Sequence, residues 1–276
     1  MQERVRVLDS NSGKEQIVVL KLGGSVLTGT KALRRAAQFL KRRTELAPDE
    51  KLVVVVSAQK LATDTLERRA RRIVRAPGVR ALALLWSTGE LRSVALLALH
   101  LEAMGVPSVG LNVHETGLQF SDHEPRPPRP SLTGMHLKAA VAQNAVVVVP
   151  GFLASRGDTA IVSLGRGGSD LSAVLLAIGL GAERCELVKD VPGYFEEDPH
   201  ENARARHLAS LAFEEALQMA NEGCALVQAH ALLAASEANL PLVIRSMDER
   251  SPFTVISRDS KSGIGERHVE LVVAEA

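Results

Sequence analysis

The sequence predicts an α/β protein in which helices cover both faces of a mostly parallel central sheet, a three-layer α/β/α sandwich. Three observations lead there. The runs IVVLKL, KLVVVV and AVVVVP are continuously apolar and rich in valine and isoleucine, the pattern of strands buried on both faces. Segments with apolar residues at three- and four-residue intervals lie between them. Glycine- or carboxylate-bearing turns end them, so strand and helix alternate along the chain.

Taken in order, IVVLKLGG is the first strand, stopped by paired glycines, and LRRAAQFLKRRTEL is an amphipathic helix. KLVVVVSA is the second strand. LERRARRIVRA and ELRSVALLALHLEAMG read as helices, the latter ending at Gly105, and VPSVGLN as a short strand. SDHEPRPPRPSLTG, with four prolines, cannot sustain helix or central strand and reads as a surface loop. HLKAAVAQ is a helix, AVVVVPGF a buried strand, and TAIVSLGRGG a strand running into a glycine-rich cassette. DLSAVLLAIGLGA is the helix after that cassette and CELVKDV a strand. LASLAFEEALQMANEGCALV is read as helical, QAHALLAASEANLPLVIRSM as helix then strand, and TVIS and VELVVAEA as late strands. No internal repeat is visible, and a division into two lobes falls near residue 155 or 185.

Composition narrows the function. A chain of 276 residues that is 46% apolar supplies a substantial core. Lys and Arg total 33 against 32 for Asp and Glu, a formal charge of +1, so there is no electrostatic case for nucleic acid or an anionic membrane. The start, MQERVRVLDS, is charged where a secretory leader needs an apolar core, and no apolar run approaches the ~20 residues that span a bilayer. The expectation is a cytoplasmic enzyme or regulator. Cys185 and Cys224 lie far apart without a CxxC or a histidine at zinc spacing; they read as buried thiols in a reducing compartment, and no metal ligands are assigned. The arginines of RRAAQFLKRR and ERRARRIVRA read as solvated helix faces.

Five turns at strand ends carry the chemistry, because open α/β sheets bind ligands there. KLGGS places Lys21 before Gly23, Gly24 and Ser25, where exposed amides and an ammonium can approach a phosphate; an ordinary tight turn has the same form. Neither GxxxxGK[ST] nor GxGxxG is present. In VSAQKLATD, the hydroxyls of Ser57 and Thr63 hold a carboxylate or cap a helix. In STGE, read as a turn ahead of the long helix, Glu90 complements the helix end or binds an ammonium. In LGRGGSD, Arg166 has a fork suited to carboxylate or phosphate, and Asp170 caps a helix or holds a cation. VKDVPGYFEEDPH adds Asp190, a Pro-Gly turn and two aromatic rings, which fit a nucleoside site as well as a plain loop.

KLGGS, VVSA with Thr63, STGE, PGF, LGRGGSD and KDVPGYFEEDP occur in the order found in aspartate kinases of the amino acid kinase family, and the chain resembles them over roughly residues 17 to 257. The resemblance implies the amino acid kinase fold over 17–257, an amino-acid site over its N-terminal half and an ATP site over its C-terminal half. Residues 1–16 become an N-terminal extension and 258–276 a C-terminal tail or strand. It implies that Lys21 and Asp170 serve the transfer and that Ser57, Thr63, Glu90, Arg166 and Asp170 contact the amino acid. Glu90 and Asp170 would face its ammonium and Arg166 its α-carboxylate. Lys21, Gly23, Gly24, Ser25, Gly168, Ser169, Lys189, Asp190, Phe195 and His200 would line the ATP site. The implied ligands are L-aspartate, ATP and Mg²⁺, the implied product 4-phospho-L-aspartate, and the implied assembly a homodimer.

The departures from the family pattern are Lys189 where a hydroxyl-bearing residue is usual, His200 where an arginine is usual, and Ala225 where a lysine is usual. About twenty residues follow TVIS, too few by ordinary domain sizes for the regulatory ACT domains such kinases carry, so no built-in end-product feedback is expected. Two other readings stand beside the aspartate kinase: a kinase of another small amino acid or carboxylate, and a catalytically weakened amino-acid-binding subunit of the same fold.

Overall fold

The computed structural model describes residues 16–120, 131–132, 134–157, 159–165, 167–197, 202, 204–224 and 226–258. Strand β1 (Gln16–Leu22) passes through a single 3-10 turn at Ser25–Leu27 into helix α1 (Thr30–Leu46), and β2 (Glu50–Val56) returns parallel to β1. Helices α2 (Ala62–Ile73) and α3 (Val79–Glu102) precede β3 (Ser108–Gly110), β4 (Leu118–Gln119) and β5 (Ser131–Leu132). Then come α4 (Met135–Gln143), β6 (Val146–Pro150), β7 (Leu153–Arg156) and β8 (Ala160–Ser163). The second half begins with α5 (Gly168–Leu180) and β9 (Arg184–Val188), followed by the hairpin of β10 (Tyr194–Phe195) and β11 (His207–Leu208). It finishes with β12 (Ser210–Ala212), α6 (Phe213–Asn221), α7 (Ala229–Ala238), β13 (Leu242–Arg245) and β14 (Thr254–Ser257).

Eight strands form the central sheet in the order β12-β14-β13-β9-β1-β2-β6-β3, and only the β13–β14 pair is antiparallel. The valine-rich strands do what their composition requires. One set of side chains, including Val18, Leu20, Leu52, Val54 and Val148, packs under α1 and α3. The alternate set, including Val19, Val53, Val55, Val147 and Val149, packs with α4, α5 and α7 on the other face. Two buried cores on opposite faces of one sheet make the expected three layers. A smaller sheet, β5-β4-β7-β8, flanks α5, so the strand entering the glycine cassette lies outside the main sheet.

Several local expectations are corrected. Ser87–Glu90 is not a turn ahead of a helix but lies inside α3, which starts after Gly78. Gly89 is there for packing: a Cβ would sit 3.2 Å from the Ala58 side chain. Thr63 and Asp64 fall in the first turn of α2, and Gly168 and Ser169 in the first turn of α5. The LASLA stretch forms β11 and β12 rather than helix, and β1 begins one residue earlier than expected. Cys185 is buried as expected, but Cys224 is exposed. The 24-residue α3, with a hydropathy of 1.4, is long and apolar enough to cross a membrane by length and composition, contrary to the expectation from the sequence. It buries Leu82, Val94, Leu97 and Leu101 and packs on α1 and the central sheet, as a core helix does.

The arginine-rich face of α1 is not wholly solvated either. Arg43 is buried, with Nε 2.7 Å from Glu50 Oε2 and Nη2 3.1 Å from Glu186 Oε1. Arg184 reaches the same two carboxylates at 2.8 and 2.9 Å, and Arg245 approaches Glu186 at 3.5 Å with its guanidinium over the Phe39 ring. Burial pushes the Glu186 carboxyl up, but Arg43, Arg184 and Arg245 outweigh it and hold the pKa at about 2. These five side chains tie the end of α1 to β2, β9 and β13. The Glu186→Gln variant leaves three buried guanidiniums with only Glu50 and the part-exposed Glu183 as carboxylate partners, and is expected to lose about 3–5 kcal/mol of stability. Urea unfolding reads this directly; a loss under about 1 kcal/mol would show the network to be structurally idle.

Candidate active site

The functional side chains converge at the carboxyl ends of β9, β1 and β2. Here the chain's connections reverse direction across the sheet: from β1 it moves through α1 to β2 on one side, and later through α5 to β9 on the other. Such a switch point opens a crevice above the sheet. Lys21 stands near the end of β1, Lys189 just past the end of β9, and Asp170 in the first turn of α5.

The three side chains form one charged unit. Lys21 Nζ lies 2.8 Å from Asp170 Oδ1, and Lys189 Nζ lies 2.9 Å from Asp170 Oδ2. Burial alone would raise the Asp170 pKa, but the two ammoniums prevail and hold it below the usual carboxylate range. Burial also pushes the Lys189 ammonium below its ordinary pKa, against the pull of Asp170.

A cavity of about 290 Å³ opens over this unit. Of the residues singled out in the sequence, Lys21, Ser57, Thr63, Glu90, Gly168, Ser169, Asp170 and Lys189 all line it. Glu90, projecting from mid-α3, is 3% exposed, and its Oε2 has no hydrogen-bond partner among the described residues. Burial raises its pKa to about 8; an N–H of Ala58 and the charge of Lys21 pull the other way without prevailing. Glu90 is therefore protonated through much of the neutral range, with one oxygen free to take a donor.

Other expected residues sit nearby or elsewhere. A Cβ at Gly23 would lie 3.6 Å from Lys21 Nζ, so this backbone runs alongside the ammonium. At Gly24 a Cβ would meet the Ala58 carbonyl at 2.4 Å, which requires glycine where the β1 and β2 loops cross. Ser25 is exposed in the 3-10 turn, and Asp190 is exposed past β9; neither lines the cavity. Phe195 lies on the β10–β11 hairpin, edge-on to His207 at 5.2 Å, and is also outside the cavity lining. Arg166, His200 and Ala225 lie outside the described residues. Asp170, expected to face an ammonium of the substrate, is ion-paired through both oxygens with lysines of the protein itself: Lys189 donates a hydrogen bond to Oδ2, while Lys21 meets Oδ1 by charge without a directed hydrogen bond.

Phe152, Leu226 and Gln228 line the cavity without having been singled out. Phe152 has φ +66 in the tight connection between β6 and β7 and meets Trp86 edge-on, a strained position that only the PGF motif hints at. Gln228 packs on Gly167, where a Cβ would come within 2.1 Å of its side chain, so the N-cap of α5 must be glycine. No periodicity or motif marks that glutamine.

The described residues contain no group of three or more His, Cys, Asp or Glu side chains able to hold a metal ion. Of the two carboxyls in the cavity, one is occupied by lysines and the other is protonated near neutrality. A magnesium ion held by the protein alone does not fit this donor set.

Residues 16–246 match the model of the amino acid kinase family. A curated aspartokinase from Thermus thermophilus is 34% identical over 240 residues, 87% of this chain and 59% of the relative. Among solved structures, aspartate kinase from Synechocystis is 34% identical with a TM-score of 0.75, over 88% of this chain and 40% of that one. Aspartokinase III from E. coli, determined with aspartate and ADP, is 25% identical with a TM-score of 0.76, over 90% of this chain and 66% of that one. The chain spans about three fifths of the length of the curated relatives it matches.

The buried Glu90 makes stability depend on pH. Its pKa is raised from 4.5 to about 8, so the folded state binds the extra proton. The associated stability is complete below the unfolded pKa and is lost as pH rises through about 8, by up to about 1.4 kcal/mol per pH unit. Glu90→Gln is expected to remove this slope, so that urea midpoints of variant and wild type converge at pH 5 and separate by pH 8. Parallel curves across that range would place the Glu90 titration elsewhere.

Proposed function

The chain belongs to the amino acid kinase family, and on that premise we propose that it transfers the γ-phosphoryl group of MgATP to the β-carboxylate of L-aspartate, giving 4-phospho-L-aspartate and ADP. The observation that carries this reading is a single cavity lined both by two ammoniums, Lys21 and Lys189, with the start of α5, and by a buried carboxyl, Glu90, with a free oxygen. The two kinds of group match a polyphosphate and an amino acid. The curated aspartokinases, and the E. coli enzyme determined with aspartate and ADP, support the choice of amino acid.

The chemistry asks little of a general base. The aspartate β-carboxylate is ionised near pH 7; one of its oxygens attacks the γ-phosphorus, the bond to the bridging β,γ-oxygen breaks, and its electron pair leaves with ADP. What opposes the reaction is the approach of two anions. Lys21 and the N-terminal end of α5 place fixed positive potential where charge accumulates, and the Gly23–Gly24 backbone lets phosphate come close to the Lys21 ammonium. Magnesium enters on the nucleotide, as part of the substrate.

Glu90 faces the aspartate ammonium, with the hydroxyls of Ser57 and Thr63 on the same wall. Binding the ammonium favours ionised Glu90, so a proton is released and aspartate binds better as pH rises toward 8. Arg166 is assigned the α-carboxylate on the resemblance alone. A homodimer completes the reading on the same ground.

Trapping the acyl phosphate with hydroxylamine, alongside ADP release, tests the reaction: an aspartate-dependent hydroxamate is expected, and active-quality protein that yields none with aspartate contradicts it. Lys21→Ala is expected to lower kcat about 10²–10³-fold, the usual cost of one preorganised charge donor. Turnover within about 3-fold of wild type would remove Lys21 from the transfer. In the wild type kcat/KM for aspartate should rise between pH 6 and 8, and Glu90→Gln should flatten that limb; an unaltered profile would free Glu90 from the ammonium.

A further inference from the structure

Lys21 and Lys189 stand on the same face of neighbouring strands, offset by two residues in register. In the β1–β9 register Lys21 pairs with Leu187, so Lys189 lies two residues further on and projects from the same face. The Lys189 N–H still donates to the Arg245 carbonyl at 2.8 Å, which continues the β9–β13 pairing past the last strand residue. Its side chain is 13% exposed and ends on Asp170 Oδ2, while Lys21 holds Oδ1.

One buried carboxylate needs one cation. A second buried ammonium costs several kcal/mol of lost hydration and repels the first, so a merely structural pair gains little from it. Nor does Glu90 neutralise the excess, being itself largely protonated, and Asp190, whose charge also reaches Lys189, is exposed and screened by water. The cavity therefore carries surplus positive charge at the N-terminal end of a 13-residue helix. Surplus charge on two convergent, pre-aimed donors suits a ligand with several negative charges on tetrahedral oxygens.

We infer that Lys189 is a second catalytic lysine, whose ammonium binds the phosphoryl group in transfer opposite Lys21, with Asp170 as the shared counter-ion that aims both before nucleotide arrives. The inference rests on the kinase reading above. Asp170 holds the Lys189 ammonium against the burial that lowers its pKa, and the part assigned to Lys189 is electrostatic, with no proton transferred in the step.

The test pairs kinetics with binding on the full chain. Lys189→Gln keeps a hydrogen-bond donor to Asp170 but removes the charge; Lys189→Arg keeps the charge. Lys189→Gln is expected to lower kcat for aspartate about 10²-fold or more while KM for aspartate changes less than about 3-fold, and Lys189→Arg to recover at least a tenth of wild-type kcat. By calorimetry, wild type should bind the β,γ-imido analogue of ATP at least about 10-fold more tightly than ADP, and Lys189→Gln should lose most of that difference. If Lys189→Gln keeps kcat within 3-fold and the analogue preference within 2-fold, the assignment is overturned. If the preference depends on Lys189 but no aspartate-dependent turnover appears in wild type, the lysine assignment stands and the aspartate reading falls. Wild type that binds neither nucleotide overturns both.

Discussion

Two ammonium groups share the carboxylate of Asp170, and most of the structure is arranged so that they can. The shared contact requires the ends of two adjacent parallel strands, β1 and β9, to meet the first turn of α5 within hydrogen-bonding distance. Parallel strands bring that about without strain, because side chains two residues apart project from the same face. The crossover helix then delivers its N-terminus, with its positive potential, to the same edge of the sheet. Glycine is required where backbones must pass too closely for a side chain, at Gly24 against the Ala58 carbonyl and at Gly167 against Gln228. A charged unit that is nearly all buried tolerates little displacement, since a lysine drawn away from Asp170 leaves a charge without hydration or partner.

The arginine–glutamate network secures the strands that carry this unit. Arg43, Glu50, Arg184, Glu186 and Arg245 lie on the α1 side of the sheet and link α1, β2, β9 and β13. β9 thus carries ion pairs at both ends: Arg184 and Glu186 near its start join the network, and Lys189 past its finish joins Asp170. The two clusters differ in purpose. The lower one has its carboxylates engaged by guanidiniums on several sides; the upper one opens onto about 290 Å³ with charge to spare. Surplus charge beside space is what separates a ligand site from a structural ion pair.

The layered fold was legible because continuous valine runs are unambiguous: only burial on both faces accounts for LVVVV and VVVVP, and these runs of β2 and β6 are buried inside the sheet, each flanked by strands on both sides. The elements misread were those where a residue has two physical uses. Gly89 suggested a turn, yet it sits inside α3, where its lack of a side chain suits close packing against Ala58. Arg43 suggested a solvated face, yet it is buried because Glu186, 143 residues away in sequence, comes to meet it. In the site, the strand-end residues Lys21, Ser57 and Lys189 were found by position, and Glu90 and Asp170 by motif. The pairing of Lys189 with Asp170 was not, since it depends on the register between β1 and β9. Gln228 was missed altogether, because a residue that lines a cavity from a helix cap has no pattern to announce it.

The central claim is that Asp170 positions two lysines for an anion rather than binding substrate itself. The most direct measurement is the single-turnover rate of phosphoryl transfer in Asp170→Asn, at saturating MgATP and aspartate, with folding confirmed by urea unfolding. A rate reduced about 10²-fold or more in a folded variant, with aspartate affinity nearly unchanged, is the predicted result. A folded variant that transfers phosphate at the wild-type rate, or that loses aspartate affinity alone, would contradict it.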